Sequence, residues 1–109
     1  MAIDGDTGKV HIISGDDLTT VVVEGALGSS TVGDLRAPVH AAIDAAGERV
    51  VIDLGAVSSI DVTGLGWLVG CHRRAADRSL DLAIRRPGID LLDRMRQVGV
   101  DRILQLADA

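Results

Sequence analysis

Hydrophobic and polar positions change period several times along the chain. Val10 to Ser14 and Thr20 to Glu24 (TVVVE) are β-branched runs separated by the turn signal Gly15-Asp16-Asp17, which predicts an antiparallel hairpin whose second strand ends at Gly25. Val32, Leu35, Val39, Ala42, Ile43 and Ala46 then recur at three- and four-residue steps, predicting a helix capped by Ser29 or Ser30 and ended by Gly47. Pro38 falls inside that pattern, so the first turns kink or the regular helix begins near Arg36. Arg49 to Leu54 (RVVIDL) is almost continuously apolar, as expected of a central strand covered on both faces.

Gly64 to Asp77 reads as a second helix with Leu65, Leu68, Val69, His72, Ala75 and Ala76 on one side. Leu80 to Ile84 is a further strand, and Pro87-Gly88 breaks the chain before a third helix, Ile89 to Val98, with Leu91, Leu92, Met95 and Val98 as its apolar positions. Gly99 is its natural C-cap, and Ile103 to Leu106 adds a short strand or a last helical turn. The order β-β-α-β-α-β-α over residues 1–109 predicts a single α/β domain. Its sheet is mixed but mainly parallel, with an N-terminal antiparallel strand and three or four helices. Ile52, Leu54, Leu65, Leu68 and Leu92 are expected in the core.

Composition sharpens this picture. With no Phe, no Tyr and one Trp, the core must be filled by Val, Ile, Leu and Ala. Residues 1–61 hold ten acids and three bases, a net of −7, and residues 62–109 hold eight arginines and six aspartates, a net of +2, which together make the −5 of the whole chain. An acidic chain without stacking aromatics does not look like a nucleic-acid binder. A single cysteine, Cys71, excludes an internal disulfide and sits among small apolar residues like a buried structural thiol. The first twenty residues carry aspartates and no apolar run, so no signal peptide is expected and the cytoplasm is the expected location. Leu54 to Cys71 has the length of a membrane span, but Asp61 in its middle and four nearby glycines favour a strand, a loop and a helix start.

Candidate chemistry concentrates where that strand runs into that helix: Asp61, Thr63, Gly64 and Gly66. Backbone N–H groups at a helix start lack internal partners and the helix dipole is positive there, so a hydroxyl at this point can carry a phosphate and Asp61 can cap the helix in its absence. Gly64 and Gly66 would leave room for a partner's backbone or a nucleotide. An acid and a threonine before a helix are also common for purely structural reasons. Elsewhere, His11, His40 and His72 are far apart, and Cys71-His72 has no second ligand pair, so no metal site is expected. His72 beside apolar residues reads as a satisfied, half-buried histidine. Glu24, Asp53 and Asp61 lie where α/β enzymes place acids, but no nucleophile and base accompany them, so no catalytic residue and no cofactor are assigned. Arg73, Arg74, Arg85 and Arg86 read as solvated ends of a helix and a strand. Trp67 is either an exposed interface anchor or the largest core residue.

The segment VVIDLGAVSSIDVTGLGWLVG resembles the signature of the STAS family, the sulfate transporter and anti-sigma factor antagonist domain. The matching residues are Asp53-Leu54, Val57, Ile60-Asp61 and Gly64-Leu65-Gly66, with Glu24-Gly25-Ala26-Leu27 upstream and Val98 to Leu104 downstream. Resemblance over nearly the whole length implies a STAS-like fold and an anti-sigma factor antagonist, with a non-enzymatic role. It implies partner switching with an anti-sigma factor that is also a kinase, phosphorylation at Thr63 dissolving the complex, and a phosphatase restoring it. Asp61, Val62, Thr63, Gly64, Leu65 and Trp67 would then be partner-binding residues. Two departures stand out: the phosphoacceptor, commonly serine, is Thr63, and the preceding position, often serine, is Val62. Ser59 also stands where the family often has a large apolar residue. The same fold admits two other roles, a non-switching accessory subunit of an ABC-type lipid transport system and a small-ligand or nucleotide-binding module.

Overall fold

The computed structural model describes residues 8–107; the ends of the expected 1–109 domain lie outside the described residues. Two strands open the chain, β1 (Lys9–Ser14) and β2 (Leu18–Leu27), followed by helix α1 (Val32–Ala45) and strand β3 (Arg49–Ile60). Helix α2 (Val62–Asp77), strand β4 (Asp81–Arg85), helix α3 (Ile89–Val98), a short 3-10 turn (Val100–Arg102) and strand β5 (Gln105–Leu106) complete it. The sheet order is β1-β2-β3-β4-β5, with β1 antiparallel to β2 and the other pairs parallel. This is the mixed, mainly parallel α/β domain expected from the sequence.

The strands are longer than their apolar runs. Gly25 does not end β2: it takes φ 87° within the strand, next to the register shifts between Val22 and Glu24 and between Gly25 and Ala26, and β2 continues to Leu27. Beyond Leu54, β3 likewise runs on to Ile60, because Glu24, Gly25, Ala26 and Leu27 pair with Ala56, Val57, Ser59 and Ile60. Gly55 to Ser59 therefore forms ladder rather than loop, although most of its side chains face solvent.

Helix α1 runs from Val32 to Ala45, with Thr31 rather than Ser29 or Ser30 as the N-cap residue and Ala46 rather than Gly47 as the C-cap, so it starts slightly later and ends slightly earlier than those caps imply. Pro38 lies within this helix at an exposed position, so the backbone bond it forfeits is on the wet side. The third helix ends as expected on Gly99 in the left-handed conformation, φ 81°.

One cluster forms the core. Val21, Val23, Val50, Ile52, Leu54, Leu82 and Ile84 from the strands pack with Leu35, Val39, Ile43, Leu65, Leu68, Cys71, Leu91 and Met95 from the helices. Val51 and Ala83 are buried outside this cluster, as strand alternation requires of residues facing the other side of the sheet. Three expectations fail on helix faces. Leu92 is only half-buried and Val98 is 55% exposed, because α3 packs through Leu91 and Met95. Ala76 is exposed, and its place on the packed face of α2 is taken by Trp67 and Cys71. No helix among the described residues is long and apolar enough to cross a membrane.

Candidate functional site

The junction of β3 and α2 is built around one carboxylate. Asp61 has extended backbone (φ −117°, ψ −177°) and is the N-cap of α2. Its Oδ1 accepts from the Gly64 N–H at 2.9 Å, and its Oδ2 accepts from the Ser29 N–H at 3.0 Å, so one side chain caps the helix and ties the β2–α1 loop to it. The backbone N–H bonds from Ser29 and then Gly64 hold the Asp61 carboxyl below the usual carboxylate range.

Two glycines make this approach feasible. A Cβ on Gly28 would lie 2.4 Å from Asp61 Oδ2, and a Cβ on Gly64 would lie 2.2 Å from the Leu27 carbonyl oxygen. The space that Gly64 was expected to leave for a partner is thus filled by β2. Gly66 behaves differently: a Cβ there meets nothing within 4 Å.

Of the six residues singled out by sequence, Asp61, Val62 and Thr63 are exposed at the helix start, Val62 by 74%. Gly64, Leu65 and Trp67 are buried beneath them, Trp67 at 6% exposure. Sequence reasoning missed Thr31. Its hydroxyl is buried and turned away from its own helix, donating to the Ala26 carbonyl at 2.8 Å and accepting from the Gly28 N–H at 3.0 Å. That bond pins the loop whose next N–H reaches Asp61. The Gly-Ser-Ser-Thr run signals a cap, but three adjacent hydroxyls do not say which one turns inward.

A second acid, Asp53, is 1% exposed on β3. Its oxygens accept from the Gly55 N–H at 2.8 Å, from Arg85 Nη2 at 2.9 Å and from Arg86 Nη2 at 2.7 Å. Burial pushes its pKa up, but the bonds from Arg86, Gly55 and Arg85 outweigh it and hold the carboxyl below its ordinary value. Arg85 and Arg86 are therefore a clamp rather than a solvated end, and Arg86 has φ 53°. Arg74 is also committed: Nε and Nη2 donate to Asp44 at 2.8 and 2.7 Å, and Arg78 Nε joins them at 2.7 Å.

The remaining candidates are structural. Burial pushes the Cys71 thiol up to about 12, which suits an inert core residue. His72 is half-buried, but its Nδ1 finds no partner among the described residues, contrary to the satisfied histidine expected. His11 pairs with Glu24 across the β1–β2 hairpin. No group of three or more metal-ligating side chains occurs among the described residues.

Residues 11–106 match the family model described as "Mlab, STAS domain". The fold is similar to that of a Thermotoga maritima protein described as a candidate anti-sigma factor antagonist (TM-score 0.82, 18% identity, 92% of this chain and 86% of that one). It is also similar to an anti-sigma factor antagonist from Mycobacterium paratuberculosis (TM-score 0.77, 20% identity, 94% and 86%). A third likeness is to the S58E form of RsbS from Moorella thermoacetica (TM-score 0.75, 24% identity, 93% and 87%). No curated protein sequence matches this chain significantly.

Proposed function

This chain belongs to the STAS domain family, and from that premise we propose that it is an anti-sigma factor antagonist that switches partners through phosphorylation of Thr63. The observation that carries this reading is the surface at the start of α2, where Val62 and Thr63 stand exposed beside a cap already satisfied by Asp61. The proposed partner is an anti-sigma factor with kinase activity, with a phosphatase resetting the cycle. Asp61, Val62 and Thr63 meet the partner, while Gly64, Leu65 and Trp67 hold that surface in shape from below. The similarity to structures described as anti-sigma factor antagonists supports this assignment, and the role requires no catalytic residue or cofactor in this chain.

A phosphate on Thr63 adds a charge of about −1.5 to −2 at the interface, which a desolvated contact does not tolerate unless it is paired. Incubating the wild type and Thr63→Ala with the cognate kinase and ATP, and weighing the intact proteins, tests the reading. One phosphate on the wild type and none on the variant is expected. Equal phosphate on both excludes Thr63. No phosphate on either, together with co-purification of an ABC-type ATPase, transfers the chain to the accessory-subunit role.

A further inference from the structure

The two outer strands of the sheet differ in how much edge they offer. β5 is two residues long. β1 is six residues long and pairs with β2 residue for residue, from Lys9 opposite Glu24 to Ser14 opposite Thr19, without the register shifts seen between β2 and β3. Its outer edge lacks the usual devices against strand addition: β1 has no proline and no bulge, and its only Lys, Arg, Asp or Glu is Lys9 at the first position. Outside the β1–β2 ladder, no backbone group from Lys9 to Ser14 has a hydrogen-bond partner among the described residues. Ile12 and Ile13 are 37% and 61% exposed. Ile12 lies opposite the core residue Val21 and so on the helix face, and alternation puts Ile13 on the opposite face.

Two features make this edge complementary to itself. Two β1 strands paired antiparallel about a two-fold axis keep both sheets facing the same way, so one residue of the strand meets its own copy. With the axis at Ile12, Ile12 meets Ile12, Val10 meets Ser14 and His11 meets Ile13. Lys9 then falls opposite the partner's Gly15 and beside the partner's Asp16, at both ends of the junction. These charges are opposite in sign, and neither Lys9 nor Asp16 has an ion pair among the described residues. An axis at His11 would instead set His11 against His11 and leave Lys9 facing Ile13.

The second feature is one flank of α1. The helix packs across β1 and β2, and its Asp44 bonds Arg74 of α2, so the flank away from α2 faces the β1 edge. At about 3.6 residues per turn, that flank carries Pro38, Ala41 and Ala45, all exposed. Two β1 strands about 4.8 Å apart would bring the two α1 axes to roughly 10 Å, the spacing of packed helices, which side chains this small permit.

We propose that the β1 edge is a homodimer interface. Two copies of the chain pair β1 with β1 about a two-fold axis at Ile12, joining their five-stranded sheets into one, with the α1 flanks closing over Ile12 and Lys9 bridged to Asp16 of the partner subunit. The occupant is a second copy because the strand, the helix flank and the opposite end charges complement one another under a single rotation. The dimer stands or falls independently of the Thr63 switch.

Sedimentation velocity of the full chain across about 5–500 µM is expected to show a concentration-dependent monomer–dimer equilibrium. Hydrogen exchange over the same range should slow at the amides of Lys9–Ser14 as the dimer fills. Ile12→Lys sets two ammonium groups against each other at the axis and should raise the dimer dissociation constant at least about tenfold. Lys9→Glu should weaken the dimer, and adding Asp16→Lys to the same chain should restore it, because the double variant exchanges the two signs. Both of these positions are exposed, so the exchange carries the test even if Ile12→Lys fails to fold. Circular dichroism at the lowest concentration checks the fold of each variant. A chain that stays monomeric at the highest concentration overturns the interface. So does a dimer that leaves exchange in β1 unchanged, or one that the charge exchange does not rescue.

Discussion

Asp53 and Asp61 sit eight residues apart, one inside β3 and the other just past its end, and both carboxyls are held below their ordinary pKa. The means differ. Asp53 is buried, and besides one backbone bond from Gly55 its charge is met by two guanidinium groups. Asp61 is exposed, and backbone N–H groups from two different segments satisfy it. The comparison separates two uses of an acid. A charge met by side chains locks neighbouring strands together, whereas one met by backbone donors shapes a helix start and leaves the adjoining side chains, Val62 and Thr63, free for a partner.

The largest expected effect tests the first half of that contrast. Asp53→Asn keeps the volume but leaves two arginines without their counter-ion, and should cost about 2–4 kcal/mol in urea unfolding. A loss below about 1 kcal/mol would mean that the partly exposed arginines simply turn to water and that the clamp does not lock β3 to β4. Gly28→Ala comes next, at about 1–3 kcal/mol, because the new methyl group collides with the Asp61 carboxylate. In an Asp61→Ala background the same change should cost far less, and strict additivity in that double-mutant cycle would place the strain elsewhere. Asp61→Ala alone removes the cap and should lower the unfolding midpoint by less than Gly28→Ala does.

Acid titration distinguishes the two carboxyls further. For a group whose folded pKa lies below its unfolded value of 3.8, the stabilisation is complete above that value and disappears as pH falls through the lower folded value. The wild type should therefore lose stability from about pH 5 downward, and Asp53→Asn and Asp61→Ala should each flatten that limb. An unchanged slope in Asp53→Asn would show that Asp53 titrates alike in the folded and unfolded chains. The smallest effect lies outside both sites, at the end of α2. Ser79 adopts φ 59° there, donating from its N–H to Ala76 while Leu80 donates to Ala75. Ser79→Gly should add about 0.5–1 kcal/mol by removing a side chain from a left-handed position.

The elements were legible where apolar periodicity is local. Val32, Leu35, Val39 and Ile43 are all buried as their spacing requires, and Ile89–Val98 begins and ends at its Pro-Gly and Gly signals. What stayed hidden depends on contacts made across long stretches of chain. Gly55 to Ser59 has the composition of a loop and becomes strand because β2 is there to pair with it. Arg85 and Arg86 look like surface charges until β3 and β4 align in register and bring Asp53 opposite Arg85. At the candidate site, the position of Asp61 as a helix cap was readable from its place before Gly64. Its second bond, to the Ser29 N–H, was not, because it joins residues 32 apart.

The 2.4 Å separation between a methyl group imagined on Gly28 and the Asp61 carboxylate also has a consequence for sequence drift. The two positions are not free to change independently. A lineage that gains a side chain at 28 is destabilised unless it also loses the acid at 61, and one that keeps the acid is favoured with glycine at 28. Among descendants of this chain the two positions should therefore vary as a linked pair, with the intermediate carrying both an acid at 61 and a side chain at 28 the rarest of the four combinations.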